Sequence, residues 1–174
     1  MKKIYLLVFT ILLLFLSCSK DDVNTEYLIG SWKLTAINLT TALDTNSDGF
    51  TSLNLVDENP IIDATLVFID EVNGSIYYNS TVSFNTRVEN DNLIFMVASS
   101  IGSDNEPKYF TYNDNNNDIS INEDVTFNLV NNTTSLFLEN NTLTMEVKRG
   151  FVVTDIDTLE ESVAQDVTYI FTKE

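Results

Sequence analysis

Asp44-x-Asn46-x-Asp48-Gly49 has the spacing of the first half of a calcium loop. Side-chain oxygens at alternate positions of a tight loop converge on one centre, and calcium takes about six to eight oxygen ligands. Gly49 permits the sharp turn, and the Phe50 carbonyl and the Ser52 side chain extend the ligand set. The twelfth position, where such loops carry a bidentate acid, is Leu55; Asp57 or Glu58 would have to fold back to supply one. Short Asp and Asn side chains also bond their own backbone and cap turns without any metal. The motif therefore has two readings, a calcium-ordered loop and a self-capped one.

Other chemistry is limited by what is missing. The sequence has no histidine and a single cysteine, Cys18. A Ser–His–Asp triad, a Cys–His pair and a histidine-based zinc site are excluded within this chain, as is an internal disulfide. GxSxG, P-loop and dinucleotide-binding glycine patterns are absent. Acids are plentiful, with 26 Asp and Glu against 9 Lys and Arg. A glycosidase-like acid pair is thus open in composition, but nothing singles out one pair. The expectation is a non-enzyme. The formal charge of −17 argues against nucleic acid and anionic lipid surfaces as direct partners.

The amino terminus supplies an address. Met1-Lys2-Lys3 is a short basic start, Ile4 to Leu16 is almost unbroken apolar sequence, and Leu16-Ser17-Cys18 closes it. That is the order of a secretory signal, and the run is shorter than the roughly 20 residues of a membrane-spanning helix. Cys18 behind a small residue resembles a bacterial lipobox, which implies cleavage before Cys18 and its acylation. Ser19-Lys20-Asp21-Asp22 resembles the export tether of Bacteroidetes surface lipoproteins, with Lys20, Asp21 and Asp22 as its charged residues. The implied location is the outer membrane, exposed at the cell surface, with the membrane as a partner through the lipid. Three parts follow: a signal peptide over 1–17, the lipidated cysteine and polar tether over 18–25, and one folded domain over 26–174. Loss of Lys2 and Lys3 would take the formal charge from −17 to −19.

The elements that would position these residues are strands. Ile76, Tyr78, Ser80, Val82 and Phe84 alternate with polar or small residues, the period-2 pattern of a half-buried strand. Leu143, Met145 and Val147 mark another, as do Val125, Phe127 and Leu129, and Val167, Tyr169 and Phe171. Further strands are expected over 31–39, 64–69, 93–98, 109–112, 119–121, 135–138 and 151–156. Asn- and Asp-rich turns separate them at Val72-Asn73-Gly74, Asn90-Asp91-Asn92, Asn113 to Asp118, Asn131-Asn132 and Asn140-Asn141. Short helical turns are expected over 23–29 and after Thr158, where Thr158 and Glu161 have capping-box spacing. Many short strands at close spacing predict an all-β, antiparallel barrel or sandwich.

Leu28-Ile29-Gly30-Ser31-Trp32-Lys33-Leu34 resembles the Gly-x-Trp opening of lipocalins. The DxNxDG loop, the strand Thr65-Leu66-Val67-Phe68 and the terminal Tyr169-Ile170-Phe171-Thr172-Lys173 appear in the order of a lipocalin-like domain of Bacteroidetes lipoproteins. The resemblance implies an antiparallel lipocalin-like β-barrel, with Gly30 and Trp32 as its signature and Trp32 plugging one end. Lys173 and Arg149 are the candidates for the cation that packs over that tryptophan. The paired cysteines common in the domain are absent here. Asp157-Thr158-Leu159 resembles a Bacteroidetes O-glycosylation acceptor, which would modify Thr158. Tyr78, Phe84, Phe95, Phe110, Phe127 and Tyr169 would face inward, either lining a cavity or filling it. Two functions follow: a barrel binding a small, largely apolar ligand, or a filled barrel that contacts surface proteins or glycans through its loops. No cofactor is required; calcium is the one candidate.

Overall fold

The structure, a computed structural model, describes residues 27–100, 106–115, 118–122 and 134–174. The signal segment, Cys18, Lys20, Asp21 and Asp22 lie outside these residues, as do Phe127 with its expected strand and the Asn131-Asn132 turn. The described elements are β1 (Gly30–Leu43), β2 (Ser52–Asn54), α1 (Leu55–Glu58), β3 (Asp63–Phe68), β4 (Asn73–Glu89) and β5 (Asn92–Ser100). β6 (Lys108–Asn115), β7 (Asp118–Asn122), β8 (Thr134–Glu139), β9 (Thr142–Asp155) and β10 (Glu161–Lys173) follow.

The fold is all-β and its sheet is strongly curled. Antiparallel ladders run from β1 to β3, β4, β6, β7, β8, β9 and β10, and β10 pairs again with β1. The path returns to its starting strand because side chains alternate, so one face of every strand can turn toward a common interior. Cross-strand partners show this: Leu34 faces Phe171, Ile37 faces Tyr169, and Tyr169 faces Met145. Trp32, Leu66, Phe68, Ile76, Leu136, Leu143, Met145 and Phe171 are almost wholly removed from solvent.

Turn chemistry sets the register at two hairpins. Asn90 and Asp91 have φ of 51° and 63°, and Asn140 and Asn141 have φ of 49° and 62°. Two successive left-handed residues make the turn whose twist matches the flanking strands, and Asn and Asp tolerate it best after glycine. The turns join Glu89 to Asn92 and Glu139 to Thr142, as the sequence indicates.

Three local expectations are corrected. The strands expected to end at Val147 and begin at Phe151 are one strand, β9, bulged between them. At the bulge Arg149 has φ of 50°, and its N–H donates to the Asp166 carboxylate at 2.7 Å. No helix follows Thr158: Asp155 accepts the N–H groups of Asp157 and Thr158, closing a tight turn, and Glu161 opens β10. The turn expected at Val72-Asn73-Gly74 lies slightly earlier, because Asp70 gathers the N–H groups of Val72 and Asn73 and β4 begins at Asn73.

Candidate functional site

The curled sheet has two ends of different character. At the first, Trp32 is fully buried and its Nε1–H donates to the Leu28 carbonyl at 2.8 Å. Lys173 lies over the indole, with Nζ 5.5 Å from its centroid, and donates to the Tyr27 carbonyl at 2.6 Å. Arg149 is instead paired with Glu161, so Lys173 is the cation at the tryptophan. Gly30 has φ of 126°, and a Cβ there would lie 3.5 Å from the Lys173 side chain. Phe68 packs edge-on against Phe110 and Tyr112, with centroids 5.8 and 4.8 Å away. This end is filled.

The other end carries the β1–β2 loop, the start of β3 and the β9–β10 turn. Its interior includes the half-buried Tyr78, Phe84 and Phe95 and the buried Phe151 and Tyr169. Phe84 meets Phe151 edge-on at 5.3 Å. Burial pushes the Tyr78 and Tyr169 hydroxyls up from their ordinary range, and Tyr78 adds to the effect on Tyr169, so the two rings share one neighbourhood. Lys108 reaches over the Tyr78 ring at 5.5 Å. The result is an apolar, aromatic interior with two phenols as its polar points and the exposed Lys108 ammonium at its edge. Of the inward aromatics expected from the sequence, Phe110 lies in the filled end, and Tyr78, Phe84, Phe95 and Tyr169 lie here.

The DxNxDG loop is closed by its own amides. Asp44 accepts the N–H groups of Asp48 and Gly49 at 3.0 and 2.9 Å, Asn46 also accepts from Asp48, and Asp48 accepts from Phe50 at 2.8 Å. Ser52 accepts from the Asn54 N–H. Among the described residues no group of three acids converges there. Glu58 is buried beneath the loop and accepts the Thr45 and Asn46 N–H groups at 3.0 and 3.4 Å. Asn59 donates to the Thr45 hydroxyl at 2.7 Å. Of the two acids that could complete the ligand set, Glu58 is the post on which the loop rests, while Asp57 is exposed. Removing the acceptor of the buried Thr45 N–H and the part-buried Asn46 N–H costs about 1–3 kcal/mol. Glu58→Ala is expected to lose about that much in urea unfolding and to raise amide exchange at Thr45 and Asn46 before the rest of the sheet.

The carboxyl-terminal half of β4, with β5, forms an arm that crosses to β9. Asn85 and Thr86 pair in parallel with Thr154 and Asp155, and the Ile156 N–H donates to the Thr86 carbonyl at 2.9 Å. The fully buried Thr86 hydroxyl lies 2.6 Å from that of Ser162, and Arg87 pairs with Asp157 at 3.0 Å. The buried Asp155 carboxylate binds the arm to the turn. Its pKa is held below the usual carboxylate range first by the Thr158 N–H, then by the Asp157 N–H, the Thr158 hydroxyl and the Val88 N–H. The pattern had no sequence signal, because Asp155 and Val88 meet only when β4 crosses the sheet. Thr158 is exposed on this turn.

A depressed carboxylate pKa means that the folded chain prefers the ionised form. The contribution is complete above the unfolded value of 3.8 and is lost as pH falls through the lower folded value. Amide exchange should therefore show residues 84–88 and 155–160 loosening below about pH 4, and Asp155→Asn should show the same loosening at neutral pH. Equal protection in both proteins at neutral pH would contradict the assignment of Asp155 as the tie.

No protein-family model, no curated protein and no solved structure matches the chain.

Proposed function

We propose that this chain is a lipid-anchored outer-membrane lipoprotein, exposed at the cell surface, whose lipocalin-like barrel binds a small, largely apolar molecule without chemical change. The observation that carries the reading is the contrast between the two ends. Trp32, Phe68 and Phe171 fill one, whereas half-buried Tyr78, Phe84 and Phe95 line the other. Burying a ligand against such rings recovers about 25 cal/mol per Å² of apolar surface, and the Tyr78, Tyr169 and Lys108 groups would receive its polar end. The Cys18 lipobox and the Lys20-Asp21-Asp22 tether support the address. Calcium at Asp44, Asn46 and Asp48, with the Phe50 carbonyl and Ser52, would order the loop at the ligand end, and glycosylation of Thr158 would fall on the adjacent exposed turn.

The alternative, a filled barrel acting through its surface, is favoured by the apolar side chains that the β4–β5 arm leaves exposed, Val88, Leu93 and Val97. Titration with N-phenyl-1-naphthylamine, a neutral apolar fluorophore, separates the two. The binding reading expects saturable fluorescence enhancement, reduced at least about tenfold in affinity by Phe95→Asp, since a charge at this half-buried position would face the apolar guest. No saturable enhancement with the folded protein would sink it in favour of the alternative.

A further inference from the structure

Among the described residues β5 pairs with β4 alone, leaving its other edge unpaired. An open edge is a row of unused backbone donors and acceptors, and natural proteins protect such edges with charge, proline, bulges or short length. Among the described residues β5 has none of these protections. It is nine residues long, Asn92-Leu-Ile-Phe-Met-Val-Ala-Ser-Ser100, with no proline and no charge. Its ladder with β4 runs from Glu89–Asn92 to Thr81–Ser100 without a register shift. Every other described strand longer than three residues carries at least one charged residue. In a chain of net charge −17, this is the strand most suited to meeting another copy.

The arm that carries the edge is fixed in place. Thr86, Arg87 and Val88 are tied to the β9–β10 hairpin by Ser162 of β10, Asp157 of the turn and Asp155 of β9. A held strand loses little further entropy when a partner adds to it.

We propose that β5 is the pairing edge of a homodimer, in which two copies of this chain join β5 to β5 antiparallel across a two-fold axis near Met96. In that register Met96 faces the partner's Met96, Phe95 faces the partner's Val97, and Leu93 faces the partner's Ser99. Leu93, Phe95 and Val97 share a face with Phe84 and Thr86 through the β4 ladder, so the apolar strip continues across both copies. The acids Glu89 and Asp91 at the tip of each arm then lie beyond the uncharged Ser99-Ser100 end of the other copy, as far apart as the pairing allows. A parallel pairing would set them side by side. With no charge on the edge to select a different polypeptide, the strand fits its own sequence best.

The two acidic bodies still repel, and salt screens that repulsion over a Debye length of about 8 Å at physiological strength. Dimerisation should therefore strengthen with salt, the reverse of what a basic partner would show. All described contacts lie within residues 27–174, so the chain from residue 18 with Cys18→Ser keeps the whole ladder for the test. Sedimentation should show a dimer fraction that rises between about 0.02 M and about 0.5 M salt. Met96→Lys and Met96→Glu place like charges opposite each other and should each weaken the dimer at least about tenfold, and an equimolar mixture of the two should recover it. Met96 is half-buried, so if the first pair does not fold, Ala98→Lys, at an exposed position that faces the partner's Ile94 in this register, sets an ammonium against an apolar side chain and should weaken the dimer. A monomer at every salt concentration, a dimer untouched by Ala98→Lys, or folded Met96 variants that fail to recover on mixing would each overturn the proposal.

Discussion

Trp32→Ala is expected to remove about 4 kcal/mol of unfolding free energy, the middle of the range for deleting a buried aromatic ring. The reason is specific to its place. Trp32 is fully buried, it pairs with Leu66 and Lys173 on neighbouring strands, and its N–H satisfies the buried Leu28 carbonyl. Alanine leaves a void bounded by two ladders that cannot collapse without breaking register, an unpaired carbonyl, and an ammonium without its aromatic face. Trp32→Phe separates these effects: it keeps most of the ring and loses the hydrogen bond, for about 1–2 kcal/mol. Urea unfolding followed by far-ultraviolet circular dichroism measures both, since the only tryptophan is the residue removed. A loss below about 1 kcal/mol for Trp32→Ala would mean that this end relaxes around the gap.

Gly74→Ala is expected to destabilise the fold by about 3 kcal/mol through overpacking. A Cβ at this position would lie 2.2 and 2.4 Å from atoms of the Phe110 ring and 2.9 Å from the Val67 carbonyl oxygen. The backbone oxygen is held by the β3–β4 ladder, and the ring is wedged against Phe68 and Tyr112. Neither can step aside cheaply. Phe110→Leu in the Gly74→Ala background should recover part of the loss, a non-additivity that marks direct contact. Gly49→Ala is the comparison: its φ is 90° but a Cβ there meets nothing within 4 Å, so only backbone strain of about 1 kcal/mol is expected. Equal effects at Gly74 and Gly49 would contradict the packing argument.

These two sites show what the sequence made legible and what it did not. Trp32 stood out because a single tryptophan behind a glycine opens the first strand. The strands themselves were readable from alternation, and the Asn90-Asp91 and Asn140-Asn141 hairpins from residues that accept left-handed backbone. Gly74 was read only as part of a turn, because its role depends on Phe110, brought opposite it by the β4–β6 pairing. The same holds for Asp155 and Val88, and for Glu58 beneath the β1–β2 loop: each contact joins segments that local pattern cannot relate. The break read between Val147 and Phe151 is a bulge that Asp166 stabilises from the next strand. Within the DxNxDG motif, spacing located a turn correctly but could not separate a metal-bound loop from one whose carboxylates serve its own amides.

The functional claim is that the half-buried aromatic end holds a small apolar guest. The direct test is native mass spectrometry of the chain from residue 18 with Cys18→Ser, with and without calcium, followed by denaturation and identification of whatever is released. The account predicts an adduct of defined mass that leaves on denaturation and is absent from Phe95→Asp. A folded wild-type protein at its bare mass, taking up no apolar molecule when challenged with a lipid extract, would contradict it.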